Sequence, residues 1–197
     1  RAESRPAFRA LSGEHGPIAA TADEVTVIDV YVNGNQREAA VTFSTLRLDA
    51  SDPGDVARAA ALLADGGVVA FPTETVYGLG ADATNATAVA NLYAAKGRPA
   101  FNPLIAHLPT VDAATTEGEF DAVATQLAKA FWPGPLTIVV PRRVGSAVVD
   151  LAAAGLGTIA IRVPTHPVAT ALLTAVGRPI VAPSANRSGH VSPTTAA

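Results

Sequence analysis

Residues 66–80, GGVVAFPTETVYGLG, decide the fold of this chain and carry a group of polar side chains. The apolar run 68–71 lies between two glycines and Pro72, and this pattern predicts a short buried strand. Pro72 to Gly80 then supply hydroxyl groups, the Glu74 carboxylate and two glycines that would let a ligand approach the backbone closely. The spacing fits a ligand-binding loop and, equally well, a turn that leads from the strand into a helix.

Short apolar runs alternate with helical patterns along the rest of the chain. Strands are predicted at residues 68–71, 104–108, 136–140, 158–163 and 180–182. Helices are predicted at residues 53–65, 87–95, 120–131 and 167–176. Helices that alternate with short apolar strands are typical of an α/β fold, and we assign the chain to that class.

The ends of the chain have a different texture. Residues 1–24 show no apolar period and are predicted to form a flexible N-terminal arm. Asn33-Gly34 lies between β-branched runs, which predicts a hairpin, unmatched to any family pattern, at residues 25–45. Because the chain lacks Met and starts at Arg1, and its last residues offer no cap or closing strand, we expect both ends to be trimmed relative to the gene.

Composition excludes several classes of function. The 197 residues are 49% apolar and 16% charged, as in a soluble globular domain. Absence of Cys excludes disulfides, thiolate zinc sites and a Cys nucleophile, and it fits a cytoplasmic protein. No apolar run reaches the length of a membrane helix, so no membrane partner is expected. A net charge of −3 argues against a generally basic nucleic-acid surface but leaves room for a local basic cleft.

Three further polar segments lie beside predicted strands, where α/β sheets collect ligands. Lys96-Gly97-Arg98 could grip a polyphosphate, although basic residues also favour helix C-termini. His107 lies inside an apolar run, where a satisfied core histidine is the usual case, but Asn102 precedes it by five residues near the same strand entrance. Residues 182–189 suit hydrogen bonds to a phosphate or ribose, or simply a turn that closes the strand.

Familiar catalytic patterns are absent. The chain has no GxxxxGK[ST], HExxH or GxSxG, and residues 155–160 match GxGxxA only in front of a strand, which is the wrong place for a dinucleotide site. The residues by themselves therefore indicate an α/β domain that binds an anionic small molecule of nucleotide type.

Several linked motifs, in one order and spacing, carry a resemblance to a known family. They are residues 66–79, Lys96-x-Arg98, 102–105 with His107, 132–137, 162–164, and 184–186 with 192–194. In these residues the chain closely resembles the YrdC-type L-threonylcarbamoyladenylate synthases, from about Leu46 to the end. The resemblance implies a YrdC-like domain at residues 46–197, truncated at its C-terminal end, with a twisted mixed sheet around a concave, positively charged cavity.

The resemblance also implies the reaction and the site. Such an enzyme joins L-threonine, bicarbonate and ATP into threonylcarbamoyl-AMP and pyrophosphate, and a downstream transferase passes the threonylcarbamoyl group to tRNA. By position, the residues implied for ATP are Lys96, Arg98, Asn102, Thr158, Ser184 and Asn186. Those implied for threonine are Thr75, His107, Arg162 and the backbone at Ala182. Catalysis is assigned to Lys96 and Arg98, together with Mg²⁺ that enters on the nucleotide and needs no metal site of the protein.

Two other functions stay open at this point. A carbamoyltransferase-type YrdC domain is the first, although those proteins carry Cys-rich zinc fingers nearby and this chain has no Cys. A non-catalytic RNA-binding module, or weak RNA binding by the enzyme, is the second, and the negative net charge weighs against it.

Overall fold

The computed structural model describes residues 24–28 and 45–196, which form eight strands and five helices. The strands are β1 (Glu24–Ile28), β2 (Thr45–Asp49), β3 (Val68–Phe71), β4 (Gly78–Asp82), β5 (Ile105–His107), β6 (Ile138–Pro141), β7 (Thr158–Arg162) and β8 (Ile180–Val181). The helices are α1 (Pro53–Ala64), α2 (Ala86–Lys96), α3 (Val111–Glu117), α4 (Ala122–Phe131) and α5 (Pro167–Val176). All the helices and strands predicted for residues 53–182 are confirmed, with small shifts at their ends.

The strands of the described residues form one sheet in the order β2-β1-β3-β4-β8-β5-β7-β6. Within it β5 and β7 run parallel, and the other neighbouring strands run antiparallel. The α/β class and the mixed sheet flanked by helices are therefore confirmed. The positive charge of the implied cavity stays a prediction.

Side chains alternate between the two faces of the sheet, because successive residues of a strand point to opposite sides. Val69 and Phe71 pack with α1 and α5 on one face. Val68 and Ala70 pack with α2, α3 and α4 on the other. Each face is thus closed by its own group of helices, and burial of both apolar sets supplies the main driving force for folding.

One part of the first face is not covered by helices of the described chain. Ile105, Ala160 and Val139 are cross-strand neighbours on β5, β7 and β6, and their register places them on the α1–α5 side of the sheet. Val139 is 64% exposed, and Ile105 and Ala160 are half-buried. We call these three residues the open floor; it is an apolar surface bounded at both ends by polar side chains.

The loop after β3 corrects one sequence interpretation. Residues 72–77 lead into strand β4, so the alternative of a strand-to-helix turn is wrong. The pattern hid β4 because its sequence, GLGAD, is poor in strand-forming residues. Packing requires the glycines: a Cβ at Gly80 would lie 2.8 Å from Phe71 Cε1 and 3.0 Å from Ile180 Cγ2.

Helix α3 was not anticipated from the sequence. Its seven residues, VDAATTE, are mostly polar or small and show no apolar stripe. The helix begins because the Thr110 side chain accepts a hydrogen bond from the N–H of Ala113 at 3.1 Å.

The N-terminal predictions fall mostly on residues that the structure does not describe. Both the arm, up to residue 23, and the turn at Asn33-Gly34 lie outside the described residues. Strand β1 pairs antiparallel with β2 on one side and with β3 on the other. The boundary between a hairpin at 25–45 and a domain from 46 onward stays a prediction.

A buried carboxylate at the end of α3 anchors the segment that follows β6. Glu117 Oε2 accepts hydrogen bonds from Ser146 Oγ at 2.6 Å and from the Ala147 N–H at 2.8 Å. Glu117→Ala should lower the free energy of unfolding by about 3 kcal/mol, because buried donors lose their acceptor and a cavity remains. Urea unfolding would measure the loss. The matched control, Glu119→Ala at an exposed position, should change it by less than about 0.5 kcal/mol; equal losses would contradict the anchoring role.

Candidate functional site

Arg162, the last residue of β7, is the centre of a polar cluster at one end of the open floor. Both Nη1 and Nη2 donate to Thr75 Oγ1, at 3.2 Å each. Nη2 also lies 3.0 Å from Glu74 Oε1 as an ion pair. Thr75 is exposed, whereas the Arg162 side chain is buried with 9% of its surface exposed, so exposed Thr75 contacts a largely buried cation. An arginine fork of this kind suits a carboxylate or phosphate ligand.

His107 lies next to Arg162 because β5 and β7 are parallel and in register. The imidazole is 2% exposed and meets the Phe71 ring edge-on. Its Nδ1 lies 3.1 Å from the Ile105 carbonyl oxygen, and the ring also forms a hydrogen bond with the Ile180 backbone. Burial, and secondly the positive charge of Arg162, lowers the pKa of His107 from 6.5 to about 4. The ring is therefore neutral at physiological pH.

This low pKa should make stability depend on pH in a defined window. Between pH 6.5 and 4 the unfolded chain binds a proton at His107 and the folded chain does not, so acidification favours unfolding. The loss from this one group approaches ~3 kcal/mol at pH 4. Urea unfolding from pH 7 to pH 4 should show that His107→Asn lacks this part of the loss. The exposed-site control His190→Asn should keep it, and an unchanged pH dependence in His107→Asn would contradict the assignment.

Lys96 ends α2 and is buried. Its ammonium donates to the backbone carbonyls of Ser184 and Asn186. Burial first, and the charge of Arg98 second, lowers the pKa of Lys96 to about 8. The side chain thus ties α2 to the segment after β8.

Arg98 follows the left-handed residue Gly97 (φ 58°), which ends α2. Its Nε donates to the Asn102 carbonyl at 3.3 Å and its Nη2 to the Pro103 carbonyl at 3.1 Å. The side chain is half-buried and Asn102 is exposed. Arg98 and Asn102, both implied for the nucleotide, are therefore in contact on the connection that leads into β5.

The segment after β8 is shaped by Asn186. Its Nδ2 donates to the carbonyls of Arg187 and His190, both at 2.8 Å, and Ser192 Oγ donates to its Oδ1 at 3.3 Å. The Tyr77 N–H donates to the Pro193 carbonyl at 2.9 Å, so this segment also closes over the loop after β3. The Ser-x-Asn and Ser-Pro-Thr elements are thus brought together.

Some residues implied for the two substrates lie at opposite ends of the open floor. Thr75, His107 and Arg162 meet at one end. Thr158 lies at the other end of β7, four residues and roughly 13 Å from Arg162 on the same face. Ala182 lies beside the floor, with its N–H bonded to the Ile105 carbonyl at 3.1 Å. Thr158 is therefore well separated from the cluster around Arg162, which leaves space for two ligands on the same surface.

Glu74 is the residue that sequence reasoning quoted but did not assign to the site. Burial raises the pKa of this carboxyl, but its own N–H, the Arg162 guanidinium and the Thr165 N–H outweigh burial and hold the pKa below its ordinary value. The available signal was a single carboxylate in a hydroxyl-rich loop. Nothing in the sequence indicated that it would pair with an arginine 88 positions away.

A metal held by the protein is not supported in the described residues. No group of three or more His, Cys, Asp or Glu converges there. A divalent cation bound mainly by nucleotide phosphates and water would need no such group, and a Mg²⁺ that arrives with ATP stays a prediction.

The site defines a class: an α/β domain with an uncovered, polar-ended sheet face that suits a small anionic ligand. The family model Sua5/YciO/YrdC, described as "Telomere recombination", matches residues 61–197. The chain belongs to this family. In the described residues no helix is both long and apolar enough to cross a membrane.

Relatives and solved structures agree with that placement. The threonylcarbamoyl-AMP synthase of Bacillus subtilis is 51% identical over 153 residues, which cover 77% of this chain and 44% of the relative. That of Pyrococcus abyssi is 49% identical over 139 residues, covering 70% and 40%. The structure of P. abyssi Sua5 complexed with L-threonine superposes with a TM-score of 0.70 at 46% identity, covering 73% of this chain and 42% of that chain. The chain spans less than half the length of these relatives.

Proposed function

We propose that this chain is the catalytic domain of an L-threonylcarbamoyladenylate synthase, which forms threonylcarbamoyl-AMP and pyrophosphate from L-threonine, bicarbonate and ATP. The observation that carries the proposal is Arg162. Its guanidinium lies beside Thr75 at the end of an uncovered sheet face, where an amino-acid carboxylate can form charge-assisted hydrogen bonds. The likeness to a solved structure that was complexed with L-threonine supports L-threonine as the ligand.

In this proposal the two substrates lie end to end along β7. Threonine binds at Thr75, His107, Arg162 and the Ala182 backbone, and neutral His107 lies beside Arg162 through the parallel register of β5 and β7. ATP binds toward the other end of the strand. Its proposed contacts are Lys96, Arg98, Asn102, Thr158, Ser184 and Asn186.

The chemistry requires positioning more than a covalent catalyst. The threonine amine and bicarbonate give a carbamate and water, and a carbamate oxygen then attacks the α-phosphorus of ATP. The bond from that phosphorus to the bridging oxygen breaks, and pyrophosphate leaves. Binding of both substrates on one sheet lowers the entropic part of the barrier, and the cation Arg98 stabilises charge that develops on the phosphates. Mg²⁺, when bound with ATP, would neutralise further phosphate charge.

Lys96 can take part in ATP binding in one of two ways. Its ammonium leaves its present partners and binds the polyphosphate, or it keeps them and supports the shape of the site. In the free chain its ammonium is engaged by the Ser184 and Asn186 carbonyls. A polyphosphate placed there would compete with these carbonyls for the same donors.

We propose, too, that the product passes to a tRNA threonylcarbamoyl transferase and that the protein acts in the cytoplasm.

The direct test is a product analysis. The chain is incubated with ATP, Mg²⁺, labelled bicarbonate and L-threonine. The products are separated by chromatography, identified by mass spectrometry and quantified. We expect label in threonylcarbamoyl-AMP and an equal amount of pyrophosphate, with both absent when threonine is omitted. ATP hydrolysis without label transfer, or salt-sensitive tRNA binding without any product, would contradict the proposal.

A further inference from the structure

The ion pair between Glu74 and Arg162 is buried but incompletely bonded. The two side chains are 15% and 9% exposed. The Glu74 carboxylate has the Arg162 ion pair and the nearby N–H groups of Glu74 and Thr165, but none of these contacts has good hydrogen-bond geometry, and Arg162 Nε is unpaired. Buried charges without hydrogen bonds cost free energy, so such a pair is a poor device for stability alone.

A second carboxylate–arginine pair on the same sheet, between buried Asp82 and exposed Arg178, shows how a carboxylate with a structural role is bonded. Asp82 Oδ1 accepts from the N–H and the hydroxyl of Thr84, at 2.8 and 2.7 Å. Asp82 Oδ2 accepts from Arg178 Nη1 at 2.8 Å. Both Asp82 oxygens accept well-formed hydrogen bonds, whereas the Glu74 oxygens have only the Arg162 ion pair and poorly aligned N–H groups. The contrast indicates that Glu74 is kept for what it does to Arg162.

The loop that carries Glu74 is rigid enough to fix a neighbouring side chain. Thr73 Oγ1 donates to the Val76 carbonyl at 2.7 Å and accepts from the Thr75 and Val76 N–H groups, at 3.3 Å each. Two neighbouring residues of this loop therefore contact the Arg162 guanidinium. Largely buried Glu74 pairs with Nη2, and the hydroxyl of exposed Thr75 accepts from Nη1 and Nη2.

We propose that Glu74 is a positioning residue, which holds the Arg162 guanidinium so that its outer edge receives the carboxylate of the amino-acid substrate. Because both Glu74 oxygens are buried, the residue acts through Arg162 and does not touch the ligand. This inference rests on the proposed function, since it takes L-threonine as the ligand of Arg162.

Calorimetry on the full chain separates positioning from a general structural role. The ligands are ATP, L-threonine and L-threoninol, in which a CH₂OH group replaces the carboxylate. Glu74→Gln should weaken L-threonine binding about tenfold or more, because a neutral amide holds the guanidinium less firmly. The affinities for ATP and for L-threoninol should stay within about twofold of wild type, since neither needs the aligned fork.

Glu74→Asp and Asp82→Asn complete the design. Glu74→Asp keeps the charge and should restore part of the L-threonine affinity; it also serves if Glu74→Gln does not fold. Asp82→Asn should lower the melting temperature without changing L-threonine affinity. Equal weakening of L-threonine and L-threoninol by the Glu74 variants, or no weakening, would overturn the positioning role alone. Failure of the wild-type chain to bind L-threonine would overturn the proposed function and this inference with it.

Discussion

Arg162→Ala is expected to raise the L-threonine concentration needed for half-maximal activity at least ~100-fold, or by about 3 kcal/mol of binding free energy. The variant removes both Nη donors, which contact Thr75 Oγ1 in the free chain and would bind the carboxylate in the proposed complex. It also leaves the buried Glu74 carboxylate without its counter-ion, which adds to the cost. The requirement for ATP should change by less than about threefold, because Arg162 lies at the opposite end of β7 from Thr158.

Pyrophosphate release at varied L-threonine and varied ATP measures the two requirements separately. Arg143→Ala, at an exposed position outside the cluster, is the matched control and should change neither. Circular dichroism would establish that Arg162→Ala still folds. If Arg162→Ala bound L-threonine normally in calorimetry and bound ATP weakly, Arg162 would belong to the nucleotide and the threonine position would be wrong.

Local pattern predicted the elements whose sequence signals are strong. Helix α1 has an aspartate cap, Asp52, followed by a proline and an apolar stripe, and it forms as expected. Strand β3 is a short apolar run between glycines and a proline, and it is buried on both faces. Strand β4 could not be found in this way, because Gly80 is required by its contacts with Phe71 and Ile180, which no local pattern reports.

In the candidate site, too, the sequence predicted which residues take part but not the tertiary contacts that surround them. The residues around Arg162 were proposed from motif order, and the parallel register of β5 and β7 does place His107 beside Arg162. The environment of each group was beyond the sequence. Lys96 reads as an exposed cation at a helix end, yet tertiary packing buries it against two carbonyls. Glu74 reads as one polar residue of a loop, yet it is the counter-ion of Arg162.

Arg98 is the cation that the structure leaves most open to a polyphosphate. Two of the five N–H groups of its guanidinium donate to the Asn102 and Pro103 carbonyls, which fix the plane of the group. The half-buried side chain has no carboxylate partner in the described residues. Lys96, by contrast, must first give up two carbonyl contacts to reach a phosphate.

Arg98→Ala should therefore remove about 2–4 kcal/mol of transition-state stabilisation. Measured as pyrophosphate release, kcat/KM for ATP should fall about 30- to 1000-fold. Arg98→Lys keeps the charge but loses the planar fork, and it should recover only part of the rate. Initial rates with L-threonine saturating isolate the nucleotide step, and Arg143→Ala again serves as the control. Wild-type rates in a folded Arg98→Ala protein would show that Arg98 does not hold the phosphates, and the charge stabilisation would then have to come from Lys96 after its release from the Ser184 and Asn186 carbonyls.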